Sequence, residues 1–403
     1  MEESFFKETR KGDYQRENFD KFLKHLNFSF NIPSIHITGT NGKGSIVNFL
    51  RSVFQNEGYK VGTFSSPYFY EVNEMISINS NQISDDDIKS IYKEYERDIL
   101  KANLSYFEIE TFIAFKYFEK EKCDVCIIEC GMGGIDDATN IFTPILSIIS
   151  TVSLEHTNFL GKTYATIAYS KAGIIKDNVP CVIGFLNDES SDVIKEVCSR
   201  KKSKLFEMAD PCNIVVENDH SIFTYRNYEN VRINSPCTFM IKDACIALEA
   251  IEEILPYFKL DHDKIISSFL VDNLPGRYNI LGEKKNIIVD GAHNPQAMTA
   301  LKEYVDFYAQ NKPIHIIFAS FRDKNLASML AQIGELTKDI VFTTFPNPRA
   351  RTEDEYFLYL EDYKFNENPI DIFNQFFEMY PDDIILVTGS LAFAGYMLKR
   401  IKV

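Results

Sequence analysis

A chain of 403 residues is longer than one hydrophobic core usually organises, so two domains are expected, and 45% apolar with 25% charged residues marks it as globular. The net charge of −15 argues against a nucleic-acid partner, which normally needs a basic face, yet leaves room for anionic small substrates held by a few local cations. No window approaches the roughly eighteen apolar residues of a membrane span, and Met1–Glu8 lacks the basic start and apolar stretch of a signal peptide, so no membrane partner and a cytoplasmic location are expected.

In chain order, Phe19, Phe22, Leu23 and Leu26 recur at helical spacing and predict a short helix over Arg16–Leu26. A β-rich run then ends at Thr38, glycines follow at positions 39, 42 and 44, and a helix starts near Ser45 with Ile46, Val47, Phe49, Leu50 and Val53 on one face. Strand, glycine loop and helix in that order suit a phosphate cradle: glycines let backbone N–H groups turn inward, and the helix N-terminus adds positive potential. Gly39, Thr40, Asn41, Gly42, Lys43, Gly44 and Ser45 are therefore the candidate phosphate loop for a nucleotide, with Lys43 reaching its terminal phosphates. Gly44 separates Lys43 from Ser45, a departure from the strict P-loop spacing, and the plain alternative is an ordinary glycine-rich turn.

Tyr59–Phe64 reads as a second strand, followed by Ser65-Ser66-Pro67 and an aromatic stretch with Tyr68, Phe69 and Tyr70 that either folds onto the core or covers a ligand. Helices are predicted over Asp85–Leu100, with Ser84 as N-cap, and over Ile109–Lys120. Strand Asp124–Glu129 delivers Glu129 just before Gly131-Met132-Gly133-Gly134, and strand Ile145–Val152 leads to Leu154-Glu155-His156. Carboxyl ends of parallel strands are where such sheets bind ligands, so Lys43, Glu129 and His156 should converge on one edge. Cys123, Cys126 and Cys130 have no fourth ligand nearby and read as a buried strand; the eight cysteines are expected to be reduced thiols.

A helix over Thr166–Ile175 carries Lys171, and Pro180–Phe185 gives another strand. Residues 187–236 are polar and weakly patterned, with β-like pieces at Asn213–Val216 and Ser221–Tyr225; helices follow at Asp243–Leu255 and Ile265–Leu270. Asn273-Leu274-Pro275-Gly276-Arg277-Tyr278 reads as the joint, dividing the chain into residues 1–274 and 275–403. Beyond it strand and helix alternate again: Ile287–Val289, a helix from Pro295, His315–Phe318, Leu326–Leu336, Ile340–Phe345 and Ile384–Val387 before a last helix. That implies a second, smaller parallel-sheet domain.

Taken together, Gly39–Ser45, Ser65-Ser66-Pro67, Tyr106-Phe107-Glu108, Glu129–Gly134 with Asp137-Ala138-Thr139-Asn140, His156 with Leu160-Gly161, and Lys171-Ala172-Gly173-Ile174 form an ordered set. Pro275-Gly276-Arg277, Asp290–Pro295, Asp323-Lys324 and Thr388-Gly389-Ser390 continue it. In this set the chain resembles the folylpolyglutamate and dihydrofolate synthases of the Mur ligase family, from about Asn18 to the C-terminus.

The resemblance implies an α/β fold, with a P-loop nucleotide-binding parallel-sheet domain followed by a smaller Rossmann-like one. It also implies a ligase that makes an acyl phosphate from ATP and a substrate carboxylate, which L-glutamate then attacks. The implied acceptors are dihydropteroate or a reduced folate. Ser66, Glu129 and His156 would bind one Mg²⁺, and a carbamylated Lys171 would help bind a second; a monovalent cation is a further implied cofactor. Lys43, Lys171 and His293 are the implied catalytic residues. Asp243, Arg277, Asp290 and Lys324 join the loop as ATP contacts, and a monomer that closes over the acyl phosphate is expected. Ser105, Phe107, Asp137 and Ala138 fall where relatives bind a pterin, although Phe107 reads equally as core. The plain alternatives are a turn cap for Glu129, a satisfied polar residue for His156 and a surface lysine for Lys171. Ile135, Met75, Glu155, Met240 and Asp243 depart from residues usual in the family. Two other readings are a Mur-type peptidoglycan ligase, against which the early loop at Gly39 leaves no separate UDP-binding domain, and a nucleotide-dependent binding module without catalysis.

Overall fold

The computed structural model describes residues 14–217, 219–359 and 361–402, so Met1–Glu8 lies outside the described residues. Two compact units are present. The first holds the described residues through Val215 with Ile222–Ile233 and Met240–Val271; the second holds the described residues from Asp272 with two short stretches of residues 216–221 and 234–239.

In the first unit β1 (Ser34–Thr38), β2 (Val61–Phe64), β3 (Ile76–Ile78), β4 (Asn81–Gln82), β5 (Val125–Glu129), β6 (Leu146–Ile149), β7 (Cys181–Ile183) and β8 (Leu205–Glu207) form one sheet in the order β4-β3-β2-β5-β1-β6-β7-β8. The central strand β1 is buried at all five positions and runs parallel to β5 and β6, with Ile37 opposite Glu129 and Thr38 opposite Ile149. A strand covered on both faces needs a continuous apolar run, which Ile35, Ile37 and their neighbours supply. β2, β5, β1, β6, β7 and β8 are all parallel, so their carboxyl ends share one edge; β3 runs antiparallel to β2, and β4 antiparallel to β3.

Helices cover the sheet for reasons visible in their sequences. Lys43–Asn56 buries Ile46, Val47, Phe49, Leu50, Val53 and Phe54. Tyr106–Glu121 begins at a reciprocal cap, in which the Glu108 carboxylate accepts from the Ser105 N–H and hydroxyl at 2.7 Å each. Its Phe112 and Phe115 meet Phe22 and Phe30 edge to face at 4.9 and 4.4 Å, rings worth roughly 1.5–3 kcal/mol each when buried.

The weakly patterned interval is more structured than its polarity suggests. Asp188–Lys201 is a helix capped by the Asn187 side chain, with acids in its first turn and bases in its last. β9 (Cys212–Val216), β10 (Ser221–Tyr225) and the unexpected β11 (Tyr228–Ile233) form a separate sheet in the order β11-β10-β9. The next helix starts at Thr238 rather than Asp243 and ends at Ile254.

In the second unit β12 (Asn279–Leu281), β13 (Ile287–Val289), β14 (Ile314–Phe318), β15 (Ile340–Phe342), β16 (Lys364–Phe365) and β17 (Ile384–Thr388) pair in the order β12-β13-β17-β14-β15-β16. All pairs are parallel except the edge strand β12, which runs antiparallel to β13. The expected strands and helices are here, joined by elements the sequence pattern did not give, among them β12, β16, the short helix Glu353–Tyr356 and helix Pro369–Met379. His315, in β14, is 8% exposed at its side chain, meets Asp339 through Nδ1 and Asp383 through Nε2, and stacks on Tyr380 at 3.9 Å. Among the described residues, no helix is long and apolar enough to cross a membrane.

Candidate active site

The glycine loop leaves β1 and is pinned to the strand beside it. Thr40 N–H donates to Thr151 O and Asn41 N–H to Thr151 Oγ1, both at 2.9 Å, while Ser150 Oγ donates to Asn41 O at 2.6 Å. Gly42 has φ +86° and is the N-cap of helix Lys43–Asn56, a conformation that strains any residue with a Cβ. A Cβ there would also overlap the Asp243 carboxylate, so the buried Asp243 lies directly behind the loop. Ser45 Oγ lies 3.5 Å from Met240 Sδ. The first-turn N–H groups have no intrahelical acceptor, which gives the loop its affinity for anions.

Lys43 bends over this loop. Its ammonium donates to Gly39 O at 3.1 Å and Thr40 O at 3.3 Å and stands 3.8 Å from Glu129 Oε1. Glu129 closes β5 and is buried, so the strand delivers its carboxylate to the loop as the sequence predicts. Lys171 ends helix Tyr164–Lys171 and is 3% exposed. Burial first, and the Lys43 charge second, bring its pKa from 10.5 down to about 7, against the opposing pull of Glu155, Cys130 and Asp137. A buried lysine beside a second cation is not the surface residue of the plain reading.

Ser66 lies two residues beyond β2, half-buried, on the same edge of the sheet. His156 is the N-cap of helix Thr157–Leu160, beyond β6, with Nε2 3.7 Å from Glu155 Oε1. No group of three or more His, Cys, Asp or Glu side chains suited to a metal ion occurs among the described residues. The expected donor set has only two members of those types, Glu129 and His156, alongside a hydroxyl and a lysine. Hard oxygens on few protein groups suit Mg²⁺, which keeps several waters.

The loop after Glu129 is held by a bracket that sequence reasoning missed. Asn140 Nδ2 donates to Gly134 O at 2.9 Å and Gly173 O at 3.1 Å, and its Oδ1 accepts from Lys176 Nζ at 2.6 Å. Ile135 N–H donates to Ser170 O at 2.9 Å, and a Cβ on Gly134 would come within 2.7 Å of Lys171 O. These contacts tie the glycines after β5 to the end of the Lys171 helix. On the far side Arg16 donates to Asp137 O and to Asn140 O, and Tyr14 OH donates to Asp136 O. No local pattern announces Arg16 or Tyr14, because their partners lie more than a hundred residues away.

The expected pterin residues are mostly engaged within the protein. Ser105 caps its helix with Glu108. Asp137 is buried and accepts from Met132 N–H at 2.8 Å, Thr139 N–H at 3.0 Å and the Thr139 hydroxyl at 2.5 Å; burial raises its pKa. Ala138 is fully buried. Phe107 is half-buried, 5.9 Å from the Phe64 ring, and faces Gly131, where a Cβ would come within 2.5 Å of Phe107 Cζ. The spacing Ser105-x-x-Glu108 is a capping signature that could have identified the first of these.

In the second unit Asp290 follows β13, is buried, and accepts from Ala292 N–H at 2.7 Å and Tyr278 N–H at 3.1 Å. Burial raises its pKa, and the neighbouring Arg277 opposes that rise. His293 Nδ1 lies 2.9 Å from Gly291 O. Lys324, in the loop after β14, stands 3.8 Å from Asp323 Oδ2. Arg277, Asp290 and His293 thus gather around the end of β13, and Lys324 belongs to the loop beyond a strand of the same parallel set.

Fold and site together define a class, the Mur ligases: the Mur ligase middle domain matches residues 37–250 and the Mur ligase glutamate ligase domain residues 276–391. The chain is 32% identical over 394 residues to the dihydrofolate synthase/folylpolyglutamate synthase of Bacillus subtilis (strain 168), covering 92% of this chain and 91% of that protein. It is 28% identical over 382 residues to the folylpolyglutamate synthase of Lacticaseibacillus casei, covering 90% and 88%. The solved Mycobacterium tuberculosis folylpolyglutamate synthase, complexed with ADP and AMPPCP, matches with a TM-score of 0.90 over 99% of this chain and 98% of that one. At 24% identity this is a likeness of fold. The chain belongs to the folylpolyglutamate and dihydrofolate synthase family of Mur ligases.

Proposed function

We propose that the chain uses ATP to join L-glutamate to a folate-type carboxylate, accepting dihydropteroate and reduced folates alike. The observation that carries this reading is the meeting of Lys43, at the start of the helix after β1, with Glu129, at the end of the adjacent strand β5, 3.8 Å apart at the phosphate loop. The γ-phosphoryl group passes from ATP to an oxygen of the acceptor carboxylate, giving ADP and an acyl phosphate. The glutamate amine then attacks the acyl carbon, phosphate leaves, and the amine proton is released as the amide forms. Gly39, Thr40, Asn41, Gly42, Gly44 and Ser45 hold the phosphates through the loop and first-turn N–H groups, with Asp243 behind them, and Lys43 neutralises charge on the group in flight.

Ser66, Glu129 and His156, with Lys171 as its carbamate, are the residues that would hold Mg²⁺, which supplies charge neutralisation on the phosphate oxygens. Lys171 suits that modification because an amine with a pKa near 7 is about half uncharged at neutral pH, and its neutral form can attack CO₂, losing one proton as the N–C bond forms. In the second unit Arg277 is assigned to phosphate, Asp290 to ribose, His293 to the incoming glutamate and Lys324 to the anionic substrates.

Purified protein given ATP, Mg²⁺ and glutamate should release ADP only when dihydropteroate or tetrahydrofolate is also present. Glu129→Gln should lower that turnover by about a hundredfold or more while leaving the melting temperature nearly unchanged. ADP release indifferent to acceptor and glutamate would refute the reading.

A further inference from the structure

The two faces of β1 differ in kind. Ser34, His36 and Thr38 alternate along the strand and share one face, while Ile35 and Ile37 share the other, and all five are buried. The polar face meets the segment that follows Glu129. His36 Nε2 lies 2.9 Å from Thr139 Oγ1 and 3.1 Å from Cys130 Sγ, so one ring nitrogen gathers the first and last residues of the stretch 130–139. Thr38 donates its hydroxyl to Gly133 O, nearer the middle of that stretch.

Asp137 fixes the order of protons along this chain. Met132 N–H, Thr139 N–H and the Thr139 hydroxyl converge on it, which is the donor set of a carboxylate. The Thr139 hydroxyl has one proton and gives it to Asp137. Toward His36 its oxygen is therefore an acceptor, and the imidazole is the Nε2–H tautomer. Nδ1 is then a bare acceptor, in agreement with its burial without a hydrogen-bond partner among the described residues. Burial first, then the charges of Lys176 and Arg16, bring the ring's pKa down to about 3, so it is neutral near pH 7. Leucine would fill this strand position without an orphaned nitrogen, whose desolvation costs about 1–3 kcal/mol.

We propose that His36 is a positioning residue for the ligation: its Nε2–H orients Thr139, Thr139 orients Asp137, and Asp137 holds Met132, which sets the stretch 130–139 against the Lys171 helix. The far side of the stretch has no slack. A Cβ on Gly133 would come within 2.6 Å of Ser170 Oγ, and one on Gly134 within 2.7 Å of Lys171 O, so a shift of the stretch is passed to Lys171. The phosphate loop is pinned separately, by Ser150 and Thr151, and does not depend on this chain. The assignment rests on the folate-ligase reading above and adds a residue that touches neither nucleotide nor acceptor.

Glutamine keeps an N–H where the imidazole Nε2–H stands, asparagine reaches only as far as Nδ1, and leucine has no donor. His36→Leu and His36→Asn should lower kcat about tenfold or more, with the Michaelis constant for ATP within about twofold, and His36→Gln should restore kcat to within about threefold of wild type. Thr139→Val breaks the next link and should lower kcat as much; added to His36→Leu it should cost less than about twofold more. Hydrogen exchange of residues 130–139, read without substrate, should quicken about tenfold in the Leu, Asn and Val variants and not in His36→Gln. Should leucine prevent folding, ¹⁵N NMR of the wild type at pH 7 gives the tautomer directly: the His36 ring, assigned by its loss in His36→Gln, should be neutral and Nε2–H. An Nδ1–H or charged ring, or equal kcat and equal exchange across the variants, overturns the proposal. If the exchange pattern holds but the wild type shows no glutamate-dependent turnover, the ligase reading fails and the positioning of the stretch by His36 stands. If turnover is present and exchange and kcat ignore the substitutions, the reverse holds.

Discussion

Replacing Lys171 by methionine should abolish catalysis and yet make the protein more stable, by an amount that depends on pH. In the unfolded chain the amine holds its proton up to about pH 10.4; in the folded chain burial and Lys43 release it near pH 7. The unfolded state therefore binds more protons between these values, and wild-type stability rises with pH across that window. Below pH 7 both states are protonated and the folded state carries the full penalty. The difference between 10.5 and about 7 is 3.5 units, or about 5 kcal/mol at 1.36 kcal/mol per unit. Methionine has similar length and no charge, so it removes that penalty, while imperfect packing returns some of the gain. A net stabilisation of about 2–4 kcal/mol at pH 6, shrinking steadily towards pH 10, is expected. The assay is urea unfolding of wild type and Lys171→Met at pH 6, 8 and 9.5 in CO₂-free buffer, so that no carbamate forms. A variant less stable than wild type at pH 6, or a difference that ignores pH, would mean that the ammonium is well solvated and would remove the physical basis for its reactivity.

Gly42→Ala should raise the Michaelis constant for ATP at least about tenfold, because a Cβ both strains the left-handed backbone and displaces Asp243 from behind the loop. Steady-state kinetics at varied ATP would show this, and an unaltered constant would contradict it. In the second unit, His315→Leu removes the donor shared by Asp339 and Asp383, and because water reaches both carboxylates it should cost only about 1–2 kcal/mol, read as a lowered urea midpoint.

The parts of this molecule readable from the chain are those in which one short segment determines its own structure. The run from Ile35 to Val53 contains its strand, its turn glycines and the apolar face of its helix, and the fold places all three as expected. Glu129 was readable for the same reason, since a buried strand ending at a glycine cluster has one outlet. Helix Asp188–Lys201 escaped a periodicity reading because charged residues dominate it, although its Asn cap and its acid-to-base polarity were available signals. β12 and β16 are two or three residues long and exist only because a neighbouring strand offers an edge. Ser105 and Asp137 illustrate a different limit: their positions were placed by resemblance, but their hydrogen bonds depend on Glu108 and on the backbone of Met132 and Thr139.

The grip of Arg16 on Asp137 O and Asn140 O has a practical bearing on how this enzyme should be handled. The leading helix looks dispensable, lying ahead of the nucleotide loop and outside the matched domain boundaries. Trimming an expression clone to Ser34 would nevertheless sever a clasp on the segment that follows Glu129 and strip Phe19, Phe22 and Phe30 from the core they share with Phe112 and Phe115. Such a fragment should lose its fold along with its capacity to form amides, so the stretch ahead of the loop belongs in any shortened form of the chain.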